Sequence, residues 1–251
     1  MKYPIGIQDF GNLRRDGYVY VDKTRHIYDL ATTGKYYFLG RPRRFGKSLL
    51  ISTMEAYFLG NRKLFKGLAM EKLESEWTEY PVLHLDLNTA NYNKVESLVA
   101  LLNKHLTKWE RIYGSAPEET MPALRFMGVV ERAFEKTGRR VVILIDEYDK
   151  PLLQAISNEA LQDDFRAMLK AFYSVLKTQD KYIQFAFLTG VTKFSKVSIF
   201  SDLNNLKDIS MDDRYIDICG ITEEEIHQYF VTSIQELAEA NSMTYEGALP
   251  G

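Results

Sequence analysis

Val141-Val142-Ile143-Leu144-Ile145 are all β-branched or aliphatic, and the run stops abruptly at Asp146-Glu147. A strand apolar at every position, rather than at alternate ones, leaves no face for water, so it belongs inside a parallel sheet covered on both sides. Parallel strands need crossover connections, which are usually helices. The rest of the chain supplies both elements. Tyr36 to Leu39, Pro81 to Leu87 and Phe185 to Leu188 read as further strands, and Tyr215 to Ile218 as a candidate fifth. Val95 to Tyr113, Glu118 to Glu135 and Asn158 to Leu176 carry apolar residues at three- and four-residue steps, the stripe of an amphipathic helix. Ahead of these, Tyr18 to Val21 alternates like a short strand and Lys23 to Ala31 has helical spacing. Thr222, followed three residues later by Glu225, is a capping box that opens a helix running towards Ala240. The alternation predicts an α/β fold. We expect a lead-in segment over 1–33 packed on a core over 34–220, then a C-terminal helical segment over 221–251.

Composition narrows the function classes. The 251 residues carry a formal net charge of −2, so the chain lacks the basic excess of a protein that coats nucleic acid. Its one cysteine, Cys219, excludes an internal disulfide and a cysteine-based zinc cluster, which fits a reducing, cytoplasmic compartment. The first residues show no basic stretch leading into an apolar run, and the longest apolar runs are strand-length, too short to span a membrane. His26, His84, His105 and His227 are scattered without metal-ligand spacing. Tyr18, Tyr20, Tyr36, Tyr37 and Phe38 read as core packing rather than a base-stacking platform.

The strand at Tyr36 to Leu39 runs into Gly40-Arg41-Pro42-Arg43-Arg44-Phe45-Gly46-Lys47-Ser48, and a helix follows from Lys47 to Phe58. A glycine-containing loop between a strand and a helix aims backbone N–H groups and the helix dipole at an anion. The phosphate-loop pattern is G-x-x-x-x-G-K-[ST], in which the lysine reaches the β- and γ-phosphates of a nucleotide and the hydroxyl serves Mg²⁺. Here Arg41 stands where the first glycine belongs, and Gly40 lies one residue early. Residues Arg41 to Leu49 are the candidate nucleotide binders, with Ser48 the Mg²⁺ hydroxyl. Asp146 is the candidate second Mg²⁺ ligand, direct or through water, and Glu147 the group that polarises the attacking water. Thr189, at the end of the Phe185 to Leu188 strand, is the third catalytic candidate beside Lys47 and Glu147; a strand-end threonine satisfied within the fold is the equal alternative. Arg41, Arg43 and Arg44 could grip phosphate, act towards a neighbour or pair with local acids, and Lys193 and Lys196 share that ambiguity.

With these residues in hand, the chain resembles the AAA-ATPase-like proteins of bacteria, often joined to a C-terminal PD-(D/E)XK nuclease-like domain. The resemblance is carried by Pro4 to Phe10, Val21-Asp22-Lys23-Thr24, Phe38-Leu39 with Arg41 to Ser48, Phe65 to Leu68, Ile145 to Pro151, Leu188 to Val191 and Phe200 to Ile209. It implies a three-layer P-loop NTPase of the additional-strand class with sheet order 5-1-4-3-2, and it makes Arg41 part of the family's own loop. It also implies ATP as the nucleotide, Asp22 and Lys23 near it, Tyr148 and Asp149 near the acidic strand end, and an ordered loop over Ser201 to Asp208. Nothing after Gly220 supplies a second α/β core with nuclease carboxylates, so no nuclease site is expected on these residues. The expected activity is Mg²⁺-dependent ATP hydrolysis that drives or regulates a protein partner or a fused domain. A phosphoryl-transferring kinase and a nucleotide-gated or nucleotide-free interaction module are the rivals.

Overall fold

The computed structural model describes residues 1–191 and 206–249. Its centre is a five-stranded sheet in the order β2-β3-β4-β1-β5, every pairing parallel. Read from the other edge this is 5-1-4-3-2. The strands are β1 (Tyr36–Gly40), β2 (Val82–Asp86), β3 (Val141–Asp146), β4 (Ile183–Gly190) and β5 (Lys207–Asp208). β5 is a correction: Tyr215 to Ile218 is not a strand, and the edge is filled instead by two residues paired with Tyr37 and Phe38. Asp212 accepts a hydrogen bond from the Arg214 backbone, which turns Asp213–Tyr215 into a single 3₁₀ turn. Tyr18 to Val21 likewise pairs with no strand among the described residues; its backbone makes isolated bonds to Leu13 and Lys2.

Side chains of the central strands alternate between two cores. Val141, Ile143 and Ile145 of β3 pack with Tyr36, Phe38, Ala186 and Leu188 against α5 (Val95–Tyr113), α6 (Pro122–Thr137) and α8 (Glu159–Thr178). Val142 and Leu144 face the other way with Tyr37, Leu39, Phe185 and Phe187, and meet α1 (Phe10–Arg15), α2 (Thr24–Thr33) and α3 (Lys47–Phe58). All six residues of β3 are buried, as its unbroken apolar run requires. On the first face Phe126 and Phe172 stack at 4.5 Å between ring centres. Each such side chain contributes about 1.5–3 kcal/mol by leaving water.

Local signals set most helix ends. Asn158 accepts from Leu161 N to open α8, and Pro122 begins α6, whose end is marked by Gly138. α1 has no apolar stripe long enough to read from sequence; Asp9 caps it through Asn12 N at 2.6 Å, and Phe10 and Leu13 pin it to the core. The short helices α4 (Ala69–Leu73) and α7 (Lys150–Gln154) follow α3 and β3. The capping box at Thr222 and Glu225 is formed, but the helix it opens breaks at Phe230 into α9 (Glu223–Tyr229) and α10 (Val231–Ala240). Tyr3 stacks on Phe230 at 5.3 Å, and Lys23 pairs with Glu225, so the two ends of the chain meet beside the sheet.

Candidate functional site

The carboxyl ends of β1, β4 and β3 bring together a set of polar groups that a core otherwise excludes. Lys47, Asp146 and Thr189 are buried there at 3%, 3% and 0% exposure. Ser48 Oγ donates to Asp146 Oδ2 at 2.6 Å, and Thr189 Oγ1 donates to Asp146 Oδ1 at 2.5 Å. The buried carboxylate thus has two hydroxyl donors and, among the described residues, no cation within salt-bridge distance. Lys47 Nζ donates to the carbonyls of Arg41 and Pro42, each at 3.0 Å, and lies 3.0 Å from Glu147 Oε1. Glu147 N in turn donates to Thr189 Oγ1 at 3.3 Å.

Backbone shape explains why these groups converge. Gly46 has φ +88°, a left-handed turn that feeds the loop directly into α3. Between β1 and the first turn of α3, the N–H groups of Arg43 to Ser48 donate to no acceptor among the described residues. A run of free N–H groups at a helix start is an anion receptor. Glu147 also sits at positive φ, +56°, which costs a non-glycine residue about 1–3 kcal/mol and persists only where the surroundings enforce it. Enforcement comes from Tyr148, which is fully buried, edge-on to Phe38 at 5.4 Å and against Gly190. A Cβ on Gly190 would lie 2.4 Å from the Tyr148 ring, so glycine there is what lets β4 pass beneath the acidic turn. The buried Asp149 carboxylate accepts from Val191 N at 3.1 Å and ties that turn to the end of β4.

Several sequence candidates take other places. Arg41 is turned to structural use: its guanidinium donates to the carbonyls of Gly40, Ser210, Tyr215 and Ile216, and its N–H to Gly190 O at 3.1 Å. It locks the loop to the segment after β5 through both terminal nitrogens of the guanidinium. Arg43, Arg44 and Phe45 are exposed at the mouth of the site, and Leu49 packs against the core while also lining the cleft. Asp22 caps neighbouring backbone, accepting from Thr24 N at 2.9 Å and Ala69 N at 2.7 Å. Lys193, Lys196 and most of the Ser201 to Asp208 loop lie outside the described residues. Three of the histidines are held by pairs, His26 with Asp217, His84 with Glu55 and His227 with Tyr245, and His105 packs beside Trp109.

The loop opens onto a cleft of about 1300 Å³, larger than the roughly 300–1,000 Å³ of most small-ligand sites. Its floor is the loop from Arg43 to Leu50 with Glu147, and one wall is Asn88 and Lys150. The remaining walls are apolar and come from both ends of the chain: Pro4, Ile5 and Ile7 on one side, and Ile221, Phe230 and Ile234 on the other. Cys219 also lines it, and burial pushes its thiol up to about 12. Sequence spacing could not show this enclosure, because the pairs that make it, such as Lys23 with Glu225, join residues from opposite ends of the chain. Asn88 and Lys150 were not singled out by spacing, although Lys150 falls within the Ile145 to Pro151 segment that carries the family resemblance.

The site thus sets a strand-loop-helix turn with free N–H groups beside an acidic strand end of a parallel α/β sheet. The family described as Predicted AAA-ATPase matches residues 4–200, and the chain belongs to it. It is 41% identical over 237 residues to an uncharacterized protein in the vnfD 5'region of Azotobacter chroococcum mcd 1. That match covers 94% of this chain and 46% of the relative, so the chain spans about half of the relative's length. No solved structure matches the chain. Among the described residues no helix is long and apolar enough to cross a membrane.

Proposed function

We propose that the chain is a three-layer P-loop domain of the additional-strand class that binds ATP with Mg²⁺ and hydrolyses it. The observation that carries this reading is the chain of contacts from Lys47 through Glu147 and Thr189 to Asp146 and Ser48, set beneath the free N–H groups of the loop. Those N–H groups and Lys47 take the β- and γ-phosphates, and the apolar end of the cleft takes the base. Residues Arg43 to Ser48 supply the cradle, whereas Arg41 holds its shape from behind.

The donor set fits Mg²⁺. Asp146 is a buried carboxylate whose partners are hydroxyls, and Ser48 stands 2.6 Å from it. Mg²⁺ favours one or two protein oxygens completed by water and phosphate rather than an all-protein cage. Bound there, the ion would neutralise charge on the phosphates. Glu147 orients a water on the γ-phosphorus and draws off its proton as the new P–O bond forms and the bond to the β-γ bridging oxygen breaks. Lys47 exchanges Glu147 for the phosphate oxygens, which frees the carboxylate for this task. Thr189 holds Asp146 and the Glu147 backbone in register.

Under this reading residues 1–33 and 221–251 flank the 34–220 core and enclose the nucleotide. Its state would be passed to a protein partner or to whatever follows in a longer chain, and the single buried thiol suits a cytoplasmic setting. The first test compares thermal midpoints with and without MgATP for the wild type and Lys47→Ala, followed by phosphate release. A ligand at ~100 times its Kd adds about 2.7 kcal/mol. A shift in the wild type that the variant lacks supports the site; no wild-type shift at millimolar MgATP sinks it and leaves the interaction-module reading in front. Binding without phosphate release would refute hydrolysis alone.

A further inference from the structure

We infer that Lys150 is a second phosphate-binding cation of the cleft, supplied by the same chain to the terminal phosphate of the nucleotide. The inference rests on the ATP site proposed above and adds a residue that neither the loop pattern nor the acidic strand end singles out.

Lys150 opens α7, three residues beyond Glu147, and lines the cleft with Lys47, Glu147 and Asn88. Its ammonium donates to the backbone carbonyl of Asn88 at 2.5 Å and to the Asn88 side-chain oxygen. Both acceptors are neutral. The other two lysines of the cleft are each matched by a carboxylate, Lys23 by Glu225 and Lys47 by Glu147. Lys150 alone of the three has no acidic partner within 4.0 Å among the described residues. An ammonium whose partners are two amide oxygens has no compensating negative charge beside it, and an entering anion gains more from it than from a lysine already paired.

Sheet order says which part of the ligand it meets. Across the carboxyl edge the loop follows β1, Thr189 is the penultimate residue of β4, Asp146 ends β3 with Glu147 next, and Asn88 follows β2. The Lys150–Asn88 pair therefore stands on the side of Glu147 away from the loop. A nucleotide gripped by Lys47 presents its terminal phosphate to that side, where transition-state charge develops. Many P-loop enzymes receive their second cation from a neighbour or activator as an arginine. Here a flexible lysine stem lets the chain supply one itself, by trading Asn88 for phosphate. One consequence is that specific ATPase activity stays constant with protein concentration.

The test uses the 251-residue chain with MgATP and MgADP, comparing the wild type with Lys150→Gln, Lys150→Arg and Lys150→Ala. Glutamine keeps a donor for Asn88 and loses the charge; arginine keeps the charge. We expect Lys150→Gln and Lys150→Ala to lose about tenfold or more of the preference for MgATP over MgADP and about 10²-fold in hydrolysis. MgADP affinity should stay within about twofold of the wild type, and Lys150→Arg should recover most of both losses. Midpoints without nucleotide identify any variant that fails to fold, and the glutamine–arginine contrast then decides without alanine. An unchanged ATP:ADP ratio in Lys150→Gln overturns the inference, because a strut to Asn88 survives that change. If Lys47-dependent binding persists while the ratio is unmoved, only the role of Lys150 falls; if the wild type binds neither nucleotide, the ATP site falls with it.

Discussion

Glu147→Gln separates the two jobs of one carboxylate. Glu147 pairs with Lys47 at 3.0 Å, with side chains only 12% and 3% exposed. Deleting one member of a buried pair outright costs about 3–5 kcal/mol. Glutamine keeps an acceptor oxygen, so the loss is the difference between a charged and a neutral hydrogen bond, about 1–1.5 kcal/mol. At about 2–4 °C per kcal/mol for a chain of this size, the midpoint without nucleotide should fall by about 2–6 °C. With MgATP the sign reverses, since the carboxylate both occupies the ammonium and repels the phosphates. Removing it should tighten MgATP binding about five- to tenfold, the equivalent of the same 1–1.4 kcal/mol. Turnover should drop by about 10²–10⁴, the usual worth of a positioned base. The assay is a thermal scan over a MgATP titration together with phosphate release. A midpoint unchanged without ligand, with a ligand-induced shift equal to that of the wild type, would refute the claim that Lys47 must leave Glu147 to bind phosphate.

Three other outcomes follow from the same geometry. Gly190→Ala places a Cβ 2.4 Å from the Tyr148 ring, and we expect it to cost about 1–3 kcal/mol by urea unfolding and to lower hydrolysis more than binding, because the displaced ring carries the Glu147 turn; full activity would show that the turn is not held this way. Phe172→Ala empties one half of the 4.5 Å stack with Phe126 and should cost about 3–5 kcal/mol while leaving MgATP affinity of the folded fraction unchanged. Cys219, with its thiol at about 12, should react with iodoacetamide at a rate that climbs about tenfold per pH unit from pH 8 to 11, where an ordinary thiol near 8.5 levels off; MgATP should slow it further, because Cys219 lines the cleft, and a plateau near pH 9 would contradict its burial.

What the sequence disclosed and what it concealed divide along physical lines. The apolar run at Val141 to Ile145 and the stripes of α5, α6 and α8 are periodic, and their periods correspond directly to the strands and helices observed. The convergence of Lys47, Ser48 and Asp146 at the strand ends was legible because spacing conveys position relative to a strand end. The role of Arg41 was hidden, since a guanidinium beside a phosphate loop reads as a phosphate ligand until Ser210, Tyr215 and Ile216 are seen to occupy it. β5 escaped because two paired residues carry no period at all, and α1 because a single turn and a half depends on Asp9 and the pocket under Phe10 and Leu13 rather than on a stripe.

The same distinction bears on how the site is coupled to the rest of the molecule. Arg41 binds the loop to the segment after β5, which leads through Cys219 to α9, and Glu225 of α9 returns to Lys23 beside the cleft. Both contacts join residues far apart in sequence, and Lys23 and Cys219 line the cleft. A rigid sheet can fix Asp146 and Thr189 without any of them. On the function proposed above, this linkage would tie the nucleotide to α9 and α10. Neutralising Glu225 to Gln, which leaves the phosphate contacts untouched, should accordingly loosen α9 and α10 to limited proteolysis and reduce the protection that MgATP confers there, while Lys47-dependent binding survives; protection identical to the wild type would place the coupling elsewhere.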